Sequence, residues 1–435
     1  MSSFVTQGAR ALKGTVRLRG DKSIAHRAVM LSGISEGITT IRNFPTHADA
    51  AATLHVFRSL GVKIKKNDDA VIVHGKGLRG LRVPPGRLSV AESGTTLRLL
   101  LGILAGQRFK VSLVADPSLS RRPMRRITVP LRAMGARIRA RKSGKEEYAP
   151  LTIMGGTVRA ITYRIPMASA QVKSAILLAG LYAQGTTRVI EPVATRDHTE
   201  RMMRLFGVCI KQHGRTVLLR GCSPLRSPGA FVIPGDVSSA SFFIVAAALL
   251  AGSRLVIRTV SLNPTRTGIL DVLRKMGARI SVTKKAGGEG EPSGDITVQS
   301  GILKAVTIQK KQIPFLIDEL PVIMVAACFA KGKTTIKGVE ELRVKETDRV
   351  RSMTENLSKM GACVKVVRKK GSEDIIIHGT GCLTGAAVKS YGDHRTAMAM
   401  VVAGLAATGR TSIDDIGCIN KSFPDFLQVL KSIIV

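Results

Sequence analysis

Six apolar, Ala/Leu-rich helices, each closing on a glycine that leads straight into a strand, are spaced almost evenly along this chain. The glycines are Gly37 (SEGITTI), Gly106 (LAGQRFKV), Gly185 (AQGTTRV), Gly252 (AGSRLVI), Gly332 (AKGKTTI) and Gly409 (ATGRTSI). A second helix follows each, ending in a phrase such as RSLGVKI (Gly61), RAMGARI (Gly135), RLFGVCI (Gly207), RKMGARI (Gly277) or SKMGACV (Gly361). The sixth copy falls on FPDFLQVLKSI, where the chain runs out. Repetition of this size means stacked supersecondary units and rules out one irregular globule.

Each first helix is preceded by a polar signature: GDKSIAHRAVM, AESGTTLRLLL, ASAQVKSAILL, GDVSSASFFIV, IDELPVIMVAA and GDHRTAMAMVV. Asp, Glu or Ser sits where a helix is capped. Capping alone accounts for any single segment. Six at one position of a repeat also place helix N-termini, with free N–H groups and positive dipole ends, at a common end of each bundle, which suits anionic ligands. Six units divide into two domains of three. The expected break lies near Pro234-Gly235. The strand-like GTVRLRG (Gly14 to Gly20) is expected to complete the last unit, so residues 1–20 go with 235–435 around an inserted domain 21–234. Two chain crossings, near 20 and 234, suit an enzyme that closes on its ligands.

The composition holds 67 Lys and Arg against 30 Asp and Glu, a formal charge of +37. That fits a nucleic-acid binder or an enzyme that draws small polyanions into a basic cleft. Aromatics are 4% and Trp is absent, so stacking platforms for bases are scarce. The longest apolar runs, AILLAGLYA and PVIMVAACFA, fall well short of the ~20 residues that span a bilayer. MSSFVTQGARALKG has no apolar core of a secretion signal. Six scattered cysteines without a C-x-x-C pair read as reduced thiols of a cytoplasmic protein with no zinc site. ACFAKGKT lacks the first glycine of a P-loop and runs from helix to strand, the reverse order, so ATP binding is not expected. Met134, Met276 and Met360 read as core, and the runs KIKK (Lys63 to Lys66) and RKK (Arg368 to Lys370) as surface.

GDKSIAHRA, SGTTLR, RRPM, SAQVKSA, IDELP, RVKETDRV, DHRTAMAM and NKSFPDF together closely resemble the 5-enolpyruvylshikimate-3-phosphate synthase family, along the whole chain. SAQVKSA with TRDHTERM is similar to the branch that includes glyphosate-tolerant members. The resemblance implies an α/β fold: two domains, each of three βαβαββ repeats with inward first helices, like an inverse α/β barrel. It implies transfer of enolpyruvyl from phosphoenolpyruvate to the 5-hydroxyl of shikimate-3-phosphate, by a cytoplasmic monomer using no cofactor, metal, nucleic acid or membrane. Carried over by residue, it places shikimate-3-phosphate on Lys22, Ser23, Arg27, Ser169, Ala170, Gln171, Arg196, Asp318 and Lys345. Phosphoenolpyruvate falls to Lys22, Gly94, Arg122, Gln171, Arg349, His394, Arg395 and Lys421. Lys22, Asp318 and Glu346 are the implied catalytic groups. Within RVKETDR, read as a helix start, Lys345, Glu346 and Arg349 are expected along one edge at i,i+3 and i,i+4 spacing. Two rivals stay open here. The enolpyruvyl transferase of UDP-N-acetylglucosamine carries a reactive Cys where this chain reads DPSLSRRPM. A basic RNA-processing protein of similar repeats is the other. The chain departs from the family at Glu92 and at Glu340 and Glu341, where relatives carry Asn.

Overall fold

The computed structural model describes residues 3–285, 290–369 and 371–435. The second repeat shows the unit. Leu88–Ser89 leads into helix Gly94–Ala105, strand Lys110–Val114, helix Arg125–Ala133 and the hairpin Arg137–Ser143 with Glu146–Met154. Leu88–Ser89 runs parallel to Lys110–Val114, which pairs antiparallel with Glu146–Met154, itself antiparallel to Arg137–Ser143. The leading strand thus pairs with the strand that follows the first helix, a βαβ crossover closed by a hairpin. The third and fifth repeats do the same with Thr162–Arg164 on Thr186–Ile190 and Thr307–Ile308 on Gly332–Lys337.

The first and fourth repeats exchange leading strands. Lys13–Arg17 precedes the helix Lys22–Ile34 but pairs parallel with Arg254–Ser261 of the fourth repeat, Val16 opposite Ile257. Ala230–Val232 precedes the helix Val237–Leu249 but pairs parallel with Ile38–Arg42, Phe231 opposite Ile41. This corrects the expectation that Gly14 to Gly20 completes the last repeat. That repeat lacks its closing hairpin, and the exposed edge of Arg410–Ile413 takes Phe4–Gln7 as an antiparallel partner instead. An edge left with unpaired N–H and C=O groups needs such a strand.

The chain forms two compact units. One holds residues 19–234 with 290–291; the other holds 3–18, 235–285 and 292–435. Each has its own core, and each centres on three first helices buried almost all round: Lys22–Ile34, Gly94–Ala105 and Ala170–Gly180 in one, Val237–Leu249, Leu320–Phe329 and His394–Ala406 in the other. A helix apolar on every face has to lie inside. Met134, Met276 and Met360 are fully buried. Lys63, Lys65 and Lys66 are exposed, and Lys370 lies outside the described residues. A Cβ on Gly102 would sit 2.3 Å from the Ala175 carbonyl oxygen, so Gly102 sets how closely helices Gly94–Ala105 and Ala170–Gly180 approach. Five of the six repeat glycines have positive φ; Gly106 does not, and serves by leaving room for the Tyr182 ring. Among the described residues no helix is long and apolar enough to cross a membrane.

Candidate active site

Five of the six first helices are capped by the expected side chains. Asp21 accepts from the N–H of Ile24, Ser93 from Thr96, Ser169 from Val172, Asp236 from Ser238, and Asp393 from Arg395 and Thr396. Glu319 departs from the pattern. Its side chain does not cap its helix; it accepts from the Ser238 hydroxyl and lies 3.8 Å from Arg266. Pro321, which has no N–H, reduces the need for a cap there.

In the unit of residues 19–234, the helix starts gather Lys22, Ser23, Arg27, Gly94, Ser169, Ala170 and Gln171. Lys22 ion-pairs with Asp49, at the first turn of helix Ala48–Ser59. Burial pushes the Asp49 carboxyl up, but Lys22, His26 and His47 outweigh it and hold the pKa below 3.8. Arg27 is almost wholly buried: Nε donates to the Thr199 hydroxyl at 2.7 Å, Nη1 to the Ser23 carbonyl at 2.8 Å, and Nη2 to the Ser174 hydroxyl at 2.9 Å. Burial lowers its pKa to about 10, Arg196 adds to the fall, and Glu200 opposes it. Arg98 donates to Gln171 Oε1 at 2.8 Å and Gln171 Nε2 to Thr95 at 3.1 Å, so two helix starts are tied together. A Cβ on Gly94 would lie 3.0 Å from Arg98 Nη1 and 3.7 Å from Arg122 Nη1, which puts both guanidiniums over that helix start. Behind them runs a hydroxyl chain, His26 Nδ1 to Thr53 to Thr96 to Ser93. Burial keeps the His26 pKa well below 6.5, so the ring is neutral.

In the other unit Arg349 is the hub. It is 1% exposed and surrounded by three carboxylates: Asp393 at 2.8 Å, Glu346 at 2.6 Å and Asp318 at 3.6 Å. Burial works to lower its pKa, but Asp393, Glu346 and Asp318 together raise it. Arg395 donates to the Asp318 carbonyl at 3.0 Å, and its Nε lies 3.5 Å from the Asp318 carboxylate. His394 and Arg395 open the helix His394–Ala406, and the turn Gly417–Lys421 that carries Lys421 packs on that helix.

RVKETDR is not a continuous helix start. Glu340–Val344 is a 3-10 turn, and the α-helix begins only at Arg349 because Asp348 caps it, accepting from the Arg351 N–H. Glu346 still reaches Arg349, but Lys345 turns to Glu341 at 3.2 Å. Burial lowers the Lys345 pKa against the pull of Glu341 and Asp318. The turn is pinned by Arg343, which grips Glu373 through two 2.6 Å bonds and Asp348 at 2.5 Å. The contacts of Asp49, Arg98, Arg343 and Glu341 escape a reading of motifs. Their only sequence signal is a charge near a helix start or in or beside RVKETDR.

The profile of the EPSP synthase (3-phosphoshikimate 1-carboxyvinyltransferase) family matches residues 6–430. The chain belongs to the EPSP synthase family. A 3-phosphoshikimate 1-carboxyvinyltransferase of Shouchella clausii is 46% identical over 430 residues, covering 99% of this chain and 98% of the relative. One of Bacillus cereus is 48% identical over 422 residues, 97% of each. An EPSP synthase structure from Acinetobacter baumannii superposes with a TM-score of 0.88 at 41% identity, over 99% of this chain and 98% of that one. The two-domain inverse α/β architecture of EPSP synthases is therefore the fold of this chain. The nucleotide-sugar and RNA-processing rivals are not favoured.

Proposed function

We infer that this EPSP synthase family member transfers the enolpyruvyl group of phosphoenolpyruvate to the 5-hydroxyl of shikimate-3-phosphate and releases phosphate. The observation that carries the reading is full-length family membership joined to helix starts rich in cations and hydroxyls. Each substrate bears a carboxylate and a phosphate. Lys22, Arg27, Arg122 and Arg196 in one unit, and Lys345, Arg395 and Lys421 in the other, are the groups that answer that charge.

The reaction is addition followed by elimination. The substrate hydroxyl oxygen bonds to C2 of phosphoenolpyruvate while C3 gains a proton. The tetrahedral ketal phosphate then expels phosphate and loses a C3 proton. Asp318, between Arg349 and Arg395, is suited to orient the hydroxyl and accept its proton. Glu346, hydrogen-bonded to Arg349 and one-third exposed, handles the C3 proton. Lys22 donates to the departing phosphate oxygen. Arg27 and Arg196 with Ser23, Ser169, Ala170, Gln171 and Lys345 bind the sugar acid. Gly94, Arg122, His394, Arg395 and Lys421 serve phosphoenolpyruvate, with Arg349 acting mainly as the support of Asp318 and Asp393. Nothing in this scheme calls for a metal or organic cofactor, and a cytoplasmic monomer is its expected state.

Phosphate release from phosphoenolpyruvate is the test, with shikimate-3-phosphate, UDP-N-acetylglucosamine or RNA as the second component. Release only with shikimate-3-phosphate is expected; release with the nucleotide sugar alone, or salt-sensitive RNA binding without turnover, overturns the reading.

A further inference from the structure

Lys173, in the SAQVKSA helix, is 0% exposed. Its ammonium lies 2.9 Å from Glu191 and 2.7 Å from Glu200, both buried, and 3.4 Å from the Thr195 carbonyl. The Thr195 hydroxyl donates to Glu191. A charge triad of this kind rarely repays its desolvation in stability, and apolar side chains of similar volume in its place are often neutral or stabilising. Its placement offers another reason. Residues 191–200 form the segment that carries Arg196 and Thr199, and the triad holds both ends of it and its middle carbonyl. Thr199 and Ser174 bond each other at 2.7 Å, and both accept from Arg27.

We propose that Lys173, Glu191 and Glu200 are positioning residues that lock segment 191–200 onto helix Ala170–Gly180, and so fix Arg27 and Arg196 for the carboxylate and phosphate of the sugar acid. This rests on the reaction proposed above. The triad touches no substrate; it sets affinity for one substrate through two arginines. Burial raises the Glu191 pKa, with Lys173 opposing; burial acts to lower the Lys173 pKa, but Glu200 and Glu191 outweigh it and raise it, so the ammonium stays charged.

The test uses Lys173→Met and the milder Thr195→Val, which severs only the Thr195–Glu191 link. Shikimate-3-phosphate affinity is measured by calorimetry, both KM values by steady-state turnover, and folding by thermal melts. Misplacing a binding group by about 1 Å costs up to ~100-fold, so Lys173→Met is expected to raise the Kd and KM for shikimate-3-phosphate roughly 10–100-fold, with the KM for phosphoenolpyruvate nearly unchanged. Thr195→Val is expected to move the same constants in the same direction by about threefold or more. A triad that only supported the fold would lower the melting temperature and leave the Kd of the folded protein alone. Wild-type affinity in folded Lys173→Met overturns the proposal, and if that variant does not fold, wild-type affinity in Thr195→Val does so. Failure of the wild type to turn over would count against the assigned reaction; wild-type turnover with unchanged variant affinity would count against this inference.

Discussion

At the three helix starts of residues 19–234 the first helical residues are Lys22, Gly94 and Ala170, and the side chains around them are Arg27, Arg98, Arg122 and Gln171. At the three of the other unit they are Val237, Leu320 and His394, and acids dominate: Glu319 and Asp393 are buried, Asp236 and Asp318 are partly buried, and Arg266 and Arg349 are enclosed among them. The backbone plan is the same in both. A repeated fold therefore fixes where N–H groups and dipole ends point, but not the sign of the local field. In the first unit the cations around the helix starts outnumber the cap Asp21 and the Lys22 partner Asp49, which suits the anion binding proposed above. In the second, carboxylates cancel the helix ends and orient arginines, which is how acid–base groups are held at defined charge.

The largest effects should separate the two. Arg349→Met takes the buried cation away from Asp393, Glu346 and Asp318, and losing one partner of a buried ionic cluster costs about 3–5 kcal/mol. Urea unfolding should show that loss together with lost turnover; a stable, inactive protein would place Arg349 with the ligand-binding cations instead. Lys22→Met should do the opposite. Its pair with Asp49 is partly exposed, so stability should change by no more than ~1 kcal/mol while turnover is abolished. Near-normal phosphate release by this variant would remove Lys22 from the chemistry.

A smaller effect follows for acid stability. Asp49 has a lower pKa folded than unfolded, so it contributes stability above 3.8 that is lost as the pH falls through its folded value. Lys22→Met removes the main group holding that value down. The acid-unfolding midpoint, followed by circular dichroism, should move to higher pH; an unmoved midpoint would mean Asp49 is held by His26 and His47 instead. Of the three groups that lower the Asp49 pKa, Lys22 is the largest influence.

How much of this was written in local sequence can be read from the same groups. The caps Asp21, Ser93, Ser169, Asp236 and Asp393 were legible because each depends on neighbours within a turn, and the repeat because its phrases recur along the chain. The partners were not. Arg349 finds Asp393 44 residues away, Arg343 finds Glu373 30 away, and Lys173 finds Glu191 18 away. No spacing rule predicts which charge closes which pair. Lys345 illustrates the converse: its helical spacing to Arg349 looked decisive, but the Asp348 cap ended the helix before reaching it. The exchanged strands failed for a related reason. Lys13–Arg17 reads as a strand, but nothing local says which parallel edge it will meet.

Gly94→Ala gives the smallest and most discriminating effect. Gly94 opens its helix, where Ala is favoured over Gly by up to ~1 kcal/mol. The new methyl would lie 3.0 Å from Arg98 Nη1 and 3.4 Å from Leu119 Cδ1. The nearer neighbour is the end of a flexible side chain, so the fold can yield by a few tenths of an ångström, and thermal stability should stay within about 1 kcal/mol of wild type. Function has less room. The Arg122 guanidinium, assigned above to phosphoenolpyruvate, faces the new methyl at 3.7 Å. The KM for phosphoenolpyruvate should rise roughly 3–30-fold, by loss of one to two kcal/mol of contact, while affinity for shikimate-3-phosphate stays close to wild type. A change confined to stability would mean that the Gly94 helix start packs as core, as the Leu320 start does, and the contrast between the two units would then fail at its least crowded point.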